Sequence, residues 1–338
     1  MLRQLKHVLL PVALVLFAAF GPFVLEPFDL VNLSAFSAMT IAALGLAFVW
    51  GTLGILNLGH SVFFGLGAYA YAIAVSNLGD STLAVLIGTL LPVAFSLILG
   101  YFLFFSRLGD VYLGVITLCV TLIFYSFMTS TADPSFHIGQ VPLGGFNGIT
   151  AVPSLNMPGD PQALLSTEAT FSICLLALAG AYILLSFLRS SDAGRIMTAI
   201  RESELRSELL GYDIRFYKLV GFAVSAAIAG LGGALYTAVM GFVSPNVFDL
   251  PQASQFVLWV IAGGLGTFVG PVAASFGFQL LSSQLGANQI FNTELIFGAT
   301  IILFVLLAPQ GLLPMILKLS KPRFQNRSGI LRRKEKPA

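Results

Sequence analysis

Long apolar runs, rarely interrupted by charge, dominate the chain. A membrane-spanning helix needs about 20 largely apolar residues. Runs of that kind cover Val8–Leu25, Ser34–Leu56, Val62–Leu78, Thr82–Phe105, Val111–Thr131, Ala169–Leu188, Leu219–Phe242 and Ile290–Ala308. A longer, Gly-interrupted apolar stretch lies between Gln255 and Leu281. Gly and aromatic residues are scattered through all of them, unlike the one-sided stripe of an amphipathic soluble helix. None alternates with the roughly ten-residue pattern of an outer-membrane barrel. The pattern predicts an all-α integral membrane protein, a polytopic helical bundle of about eight to ten spans.

Composition sharpens this reading. Of 338 residues, 57% are apolar and 9% charged, against about 25% charged in soluble domains. The mean hydropathy is +0.91. A soluble globule could not hide that much hydrocarbon and still wet its surface. The 30 Phe and 34 Gly suit packed membrane helices, where small residues let backbones approach. Cys119 and Cys174 both fall inside apolar stretches and read as small hydrophobes, not as a disulfide. Arg3 and Lys6 ahead of the run Val8–Phe20 resemble a signal peptide, with Phe17-Ala18-Ala19 as a weak cleavage site. The many spans that follow favour an uncleaved first span.

The 17 Lys and Arg residues fall in four places: Arg3 with Lys6, Arg107, the segment Arg189–Lys218, and the tail after Leu317. By the positive-inside rule all four are cytoplasmic. Parity then constrains the spans. From an inside N-terminus, Arg107 follows four crossings and Arg189 six, and Leu219–Phe242 returns outside. An inside tail requires an odd number of crossings after Gln255. The simplest solution is that Gln255–Leu281 enters from outside, breaks near Gly263-Gly264-Leu265-Gly266 and exits on the same side, leaving Ile290–Ala308 to cross alone; three crossings, giving ten in all, also satisfy parity. A broken helix is tolerated in a membrane only where protein or a water-filled cavity receives its freed backbone groups. The break therefore points to a pathway-lining region.

Two loops stand out. Residues 132–168, on the outside, are rich in Pro, Gly, Asp and Asn, lack Lys and Arg, and contain no nucleophile–base or metal cluster. Their single His, His137, reads as a surface residue. The loop is equally consistent with a plain connector and with a folded lip that meets a partner. The inside loop, 190–218, contains a helix predicted over Arg195–Leu210, with no internal Gly or Pro. Glu202 and Arg206 are spaced as an i,i+4 ion pair. Ile196, Ala199, Ile200 and Leu210 form a rough apolar stripe against Arg201, Glu204 and Glu208, and Gly211 supplies a helix stop. Such a helix is either a solvated loop element or a docking element for a soluble subunit.

Here the residues resemble a known family. Gly194-Arg195, Ala199-Ile200-Arg201-Glu202-Ser203-Glu204, Gly211-Tyr212 and Tyr217-Lys218 look like the cytoplasmic loop of branched-chain amino acid ABC transporter permeases of the LivM type. Leu58-Gly59-His60 with Phe63-Phe64-Gly65-Leu66-Gly67-Ala68-Tyr69 is similar to the family's LGH-x-x-FFGxGAY stretch. Gly144-Gly145 with Asn147-Gly148-Ile149 resembles its TGGxxGL, Gly230 to Tyr236 its AGxxGALY, and Gly263 to Pro271 its GGxGSxxGP. The resemblance runs from Leu44 to Gly311. Departures are Leu143 in place of the usual Thr, the bulky Phe146 beside it, and Gln310 where Arg or Lys is common. The first two bear on the solute, because the superfamily also includes urea and short-chain amide permeases. Trp259 is reminiscent of the urea branch.

The resemblance implies a subunit that hydrolyses nothing and binds no cofactor itself. ATP would sit on two cytoplasmic ATPase subunits, solute would arrive on an extracytoplasmic binding protein, and a second homologous permease would complete the pore. The residues agree independently, with no GxxxxGK[ST] phosphate loop. The spans hold almost no charge, with only Asp110 and Glu294 near one, which disfavours an ion-coupled secondary transporter. A scaffold protein would need neither the broken helix nor the docking loop. Candidate pathway residues are Asn57, His60, Ser61, Gly144, Gly145, Asn147, Gly263, Gly264 and Gly266; candidate coupling residues are Arg195, Arg201, Glu202, Glu204, Arg206, Glu208 and Gly211. Asn57-Leu58-Gly59-His60 reads first as a polar turn between two spans with inside-facing polar groups, and a substrate role comes second. A neutral path suits zwitterionic or uncharged solutes. The expected organisation is a permease domain over residues 1–317 and a basic tail over 318–338, held near anionic lipid headgroups in preference to nucleic acid. The expected location is a bacterial or archaeal inner membrane, with both termini cytoplasmic.

Overall fold

In lipid every backbone N–H and C=O must be satisfied internally, so apolar segments close into helices. The computed structural model describes residues 2–106, 109–133, 135–288 and 298. The expected span Ile290–Ala308, Arg107, Gln310 and the basic tail lie outside the described residues. The described helices are α1 (Leu2–Phe20), α2 (Pro27–Phe48), α3 (Ser61–Leu78), α4 (Ser81–Phe105), α5 (Asp110–Thr129), α6 (Thr167–Ser190), α7 (Asp192–Glu202), α8 (Glu204–Leu209), α9 (Ile214–Met240), α10 (Leu250–Gly263) and α11 (Val269–Asn288). Six are long and apolar enough to cross a membrane: α2 with its extension to Leu53, α3, α4, Val111–Thr129 of α5, α6 and α9. The protein is an all-α polytopic membrane protein.

Local chemistry sets the helix ends. Asp80 accepts from Thr82 N at 2.8 Å to open α4, and Asp213 accepts from Arg215 N at 3.1 Å to open α9. Gly79 and Gly241 end α3 and α9 at φ of +78° and +69°, a left-handed turn that glycine adopts without strain. The packing of α9 against α2, α3 and α4 rests on small residues. Gly67 lies on Gly230, Gly232 on Ala38 and Ala42, and Gly233 on the backbone of Phe64, so the helix backbones approach directly. A column of rings, Phe248, Phe124, Phe95, Phe63, Phe222 and Phe104, runs through the centre with neighbouring centroids 5.1–6.4 Å apart. α4 and α5 turn Leu90, Ile98, Ile123 and Phe127 outward.

The two ends of the bundle differ. At one end lies the folded loop 132–168, with hairpins β1 (His137–Ile138)/β2 (Val141–Pro142) and β3 (Asn156–Met157)/β4 (Asp160–Leu164). It is fastened by Ser81 Oγ donating to Asn156 Oδ1 at 2.6 Å and by reciprocal Ile149–Val243 backbone bonds of 2.9 and 3.0 Å. At the other, basic end lie Arg189–Lys218. The expected single helix Arg195–Leu210 is two helices. Ser203 is extended (φ −164°), and its hydroxyl accepts from Arg206 N, capping α8. Across that break Glu202 and Arg206 are no longer one turn apart. The ion pairs among the described residues are Arg195–Asp192 at 3.3 Å and Lys218–Glu204 at 2.6 Å. The apolar stripe also differs from expectation: Gly194, Met197 and Ile200 are buried, whereas Ala199 and Leu210 are exposed. The new axis begins after Ser203, so Leu210 cannot continue the α7 stripe.

Candidate functional site

Two helices that the sequence shows as apolar runs are interrupted inside the bundle. The first interruption ends α2. Val49–Leu53 form a π-turn, Gly54 is left-handed (φ +79°), and residues 55–60 are non-helical until α3 begins at Ser61. The segment lies alongside α5. Thr117 Oγ1 accepts from Gly59 N at 3.3 Å, and Thr121 Oγ1 donates to Gly59 O at 3.1 Å. Counting 1.5 Å per residue from the start of α5, that places Gly59 about 10–17 Å into the bundle from its basic end. A methyl group at Gly59 would overlap the Thr117 carbonyl, so this approach requires glycine. The freed backbone is covered by protein, which is the condition for non-helical chain at membrane depth.

Asn57, His60 and Ser61 are fully buried in this segment. His60 Nε2 faces Ala42 O at 2.9 Å, and Asn57 Nδ2 faces His60 Nδ1 at 3.4 Å. With Nε2 as donor to the carbonyl, Nδ1 accepts from the Asn57 amide, so the pair fixes one neutral tautomer. Phe63 and Phe256 meet the imidazole edge-on, both with centroids 6.1 Å away. Asn57 Oδ1, Ser61 Oγ and Thr52 Oγ1 are buried without a hydrogen-bond partner among the described residues. Such groups in an apolar interior carry a desolvation cost of about 1–3 kcal/mol each. The N-terminus of α3, with its partial positive charge, opens into the same segment.

The second interruption is the expected one at Gly263–Gly266. α10 ends at Gly263, Gly264 and Gly266 both have φ of +97°, and α11 begins at Val269. The two helices form a hairpin so close that a methyl group at Gly263 would overlap the Gly270 backbone. α11 then runs antiparallel to α2: Ser275 meets Thr40 at 2.8 Å, and Gln279 reaches Phe36 O at 3.4 Å. The hairpin thus starts at the loop end, turns towards the basic end and heads back. Its turn does not join the Asn57–Ser61 cluster. It abuts the other interruption lower down, where a methyl group at Gly51 would meet Gly266 N at 3.3 Å.

The remaining sequence candidates lie elsewhere. Gly144 and Gly145 are left-handed residues (φ +71° and +54°) of a tight turn packed on Ala132 and Gly148, and Asn147 is exposed at the loop end. Arg195, Glu202, Arg206 and Glu208 are exposed at the basic end, and Gly211 (φ +89°) stops α8. Glu204, Glu208, Tyr212, Asp213, Arg215 and Lys218 line a recess of about 530 Å³ between α8, the start of α9 and the end of α4. The sequence reading missed Gly51, Gly54, Thr117, Thr121 and Arg189. Two glycines in Trp50-Gly51-Thr52-Leu53-Gly54 were the available signal for the first break.

Two interrupted membrane helices, a folded loop at one end and an amphipathic helix pair at the other define a membrane permease. The chain belongs to the branched-chain amino acid transport system / permease component family, whose model matches residues 30–306. It is 29% identical to the high-affinity branched-chain amino acid transport system permease protein LivM of Escherichia coli strain K12, over 96% of this chain and 78% of that protein. The corresponding permease protein LivH of Salmonella typhimurium is 22% identical, over 82% of this chain and 91% of that one. The fructose import permease protein FruG of Bifidobacterium longum is 28% identical over 42% of this chain and 43% of its own length. No solved structure matches.

Proposed function

We propose that this chain is the membrane subunit of an ABC importer of branched-chain amino acids. It would work with a second homologous permease, two cytoplasmic ATPase subunits that bind the ATP, and an extracytoplasmic solute-binding protein. The solute reading rests on the LivM and LivH relatives and on similarity to the former over 96% of this chain and 78% of that protein. The FruG match, over less than half of the chain, shows that related permeases carry chemically different solutes. In this account the chain sits in a bacterial or archaeal inner membrane with its basic end and both termini on the cytoplasmic side, and no ATPase site belongs to it. The permease domain would span residues 1–317, and 318–338, outside the described residues, would be its basic tail.

The observation that carries the coupling assignment is α8. Leu205, Leu209 and Leu210 are 67%, 80% and 74% exposed at the end of the molecule richest in Lys and Arg. They lie beside the charged recess of Glu204, Glu208, Asp213, Arg215 and Lys218. An uncovered apolar edge with a charged rim is what a protein partner covers. The ATPase would seat on α8, and α7, packed on α6, α9 and the π-turn, would pass its movement inward. Solute would pass the Asn57–His60–Ser61 segment, where buried polar groups await partners. Leu205→Ser/Leu209→Ser should release the ATPase during purification of the complex while the permease stays folded in the membrane. Retention of the ATPase by that variant, with normal ATP-driven uptake, contradicts the docking assignment.

A further inference from the structure

The two helix interruptions meet at the basic end, and each presents a carbonyl there. A π-turn and the residues following a helix end leave C=O groups without an intrahelical donor, and in an apolar setting such groups are costly. Arginines from outside the interruptions supply the donors. Arg201, in the last turn of α7, donates Nη1–H to Gly51 O, and its stem lies across the left-handed Gly54. Arg189, near the end of α6, donates Nη1–H to Gly266 O at 2.6 Å and sits over the Phe268 ring at 5.5 Å. Neither arginine pairs with a carboxylate among the described residues. The two guanidinium groups repel each other. Each is therefore held by a neutral carbonyl against a like charge, an arrangement weaker than an ion pair.

We propose that Arg201 and Arg189 are positioning residues that clamp the two interruptions together and keep the basic-end mouth of the pathway closed. This rests on the permease reading above and deepens it. α7 connects three things: through α8 it reaches the uncovered leucines, through Arg201 it holds Gly51, and through Met197 and Ile200 it is rooted in the bundle. A shift of α7 by the length of one hydrogen bond withdraws the Arg201 donor. The Gly51 carbonyl is then unsatisfied, mutual repulsion no longer has to be overcome, and the seam between Gly51 and Gly266 parts. Thr52, next to Gly51 in the chain, is fully buried and its hydroxyl has no partner among the described residues.

The test uses the assembled complex, with Cys119 and Cys174 replaced by Ser and a reporter cysteine introduced as Thr52→Cys. Its reaction with a small hydrophilic maleimide is timed in inverted vesicles without nucleotide or solute. The reporter should react slowly with both arginines present. Arg201→Gln should speed it about tenfold or more, the population change produced by losing one hydrogen bond to a charged group. Arg201→Lys, which keeps the charge but not the planar fork, should give an intermediate rate. A merely structural role would lower yield and thermal stability of both variants and leave the labelling rate of the folded fraction unchanged; that result overturns the clamp. If Arg201→Gln does not accumulate, Arg189→Gln reads the same seam from the other side, and an unchanged rate there overturns it equally. The readout needs no transported solute, so failure of the branched-chain assignment would leave the labelling result intact.

Discussion

The Lys218 ammonium donates to Glu204 Oε1 at 2.6 Å, joining the first turn of α8 to the first turns of α9. The lysine side chain is 10% exposed and the carboxylate 51%. Most of the cost of breaking this pair falls on Lys218, a largely buried cation that would lose its ion-pair partner among the described residues. Glu204→Gln should therefore destabilise by about 1 kcal/mol, discounted for the exposed carboxylate, and Glu204→Lys by more. Thermal unfolding of the purified permease in detergent reads this directly. Equal stability of wild type and Glu204→Lys would show that the pair holds nothing. Charge reversal at Glu204 thus acts on the fold as well as on docking, whereas Glu208, which has no ion pair among the described residues, isolates the docking effect.

Gly59 and Gly180 make a matched contrast. A methyl group at Gly59 would overlap the Thr117 carbonyl and sit 2.7 Å from Thr121 Oγ1, whereas at Gly180 nothing lies within 4 Å. Gly59→Ala should cost about 1–3 kcal/mol by overpacking. Gly180→Ala, in the middle of α6, should be neutral or stabilise by about 0.5–1 kcal/mol. Unfolding midpoints of the two variants, measured side by side, check the close approach of the interrupted segment to α5. A neutral Gly59→Ala would mean that this segment is not held against α5.

Ser61 and Asn57 are buried polar groups whose Oγ and Oδ1 lack partners among the described residues. If they serve solute, Ser61→Ala should leave the fold intact or slightly steadier, since it removes an unsatisfied atom, whereas Asn57→Ala also removes the donor to His60 Nδ1 and should cost about 1 kcal/mol of stability. Uptake should show a raised KM, by about tenfold for loss of one hydrogen bond to a charged solute group. Unaltered KM and Vmax in both would return the segment to the polar-turn reading that the sequence left open.

Much of the architecture was legible because apolar run length is set by the bilayer. The ends of α3, α4 and α6 fall within two residues of the expected spans, and a break appears at Gly263–Gly266, where the simplest of the two solutions to charge parity placed one. What escaped was local geometry that run length does not encode. The Ser34–Leu56 run reads as one straight helix, because a π-turn at Val49–Leu53 keeps the same apolar composition as a helix. The continuous helix at Arg195–Leu210 failed at Ser203, a residue whose hydroxyl caps as readily as it continues a helix. Residues in the pathway list were identified as polar or glycine-rich. Only the folded chain shows that they occupy three depths, and that Arg189 and Arg201 address the two interruptions.

The proposed orientation rests on the Lys/Arg distribution and has its own check. Cysteines at Asp160 and Arg206, both exposed at opposite ends, should label in opposite compartments. Asp160→Cys should react with an impermeant maleimide added to intact cells, and Arg206→Cys only after the inner membrane is inverted. Asn156 is unsuited to this purpose, being buried against Ser81. Labelling of Arg206→Cys in intact cells would reverse the whole assignment.

The central claim is that this chain carries branched-chain amino acids at the expense of ATP bound elsewhere. The most direct measurement is uptake of labelled leucine into proteoliposomes containing the permease with its partner permease and ATPase subunits, with binding protein supplied on the extracytoplasmic side. Leucine should accumulate only with ATP and binding protein present, be displaced by isoleucine and valine, and be unaffected by urea, short amides or collapse of the ion gradients. ATP-driven uptake of urea or an amide in place of leucine would contradict the solute assignment, and uptake driven by an ion gradient without ATP would contradict the mechanism.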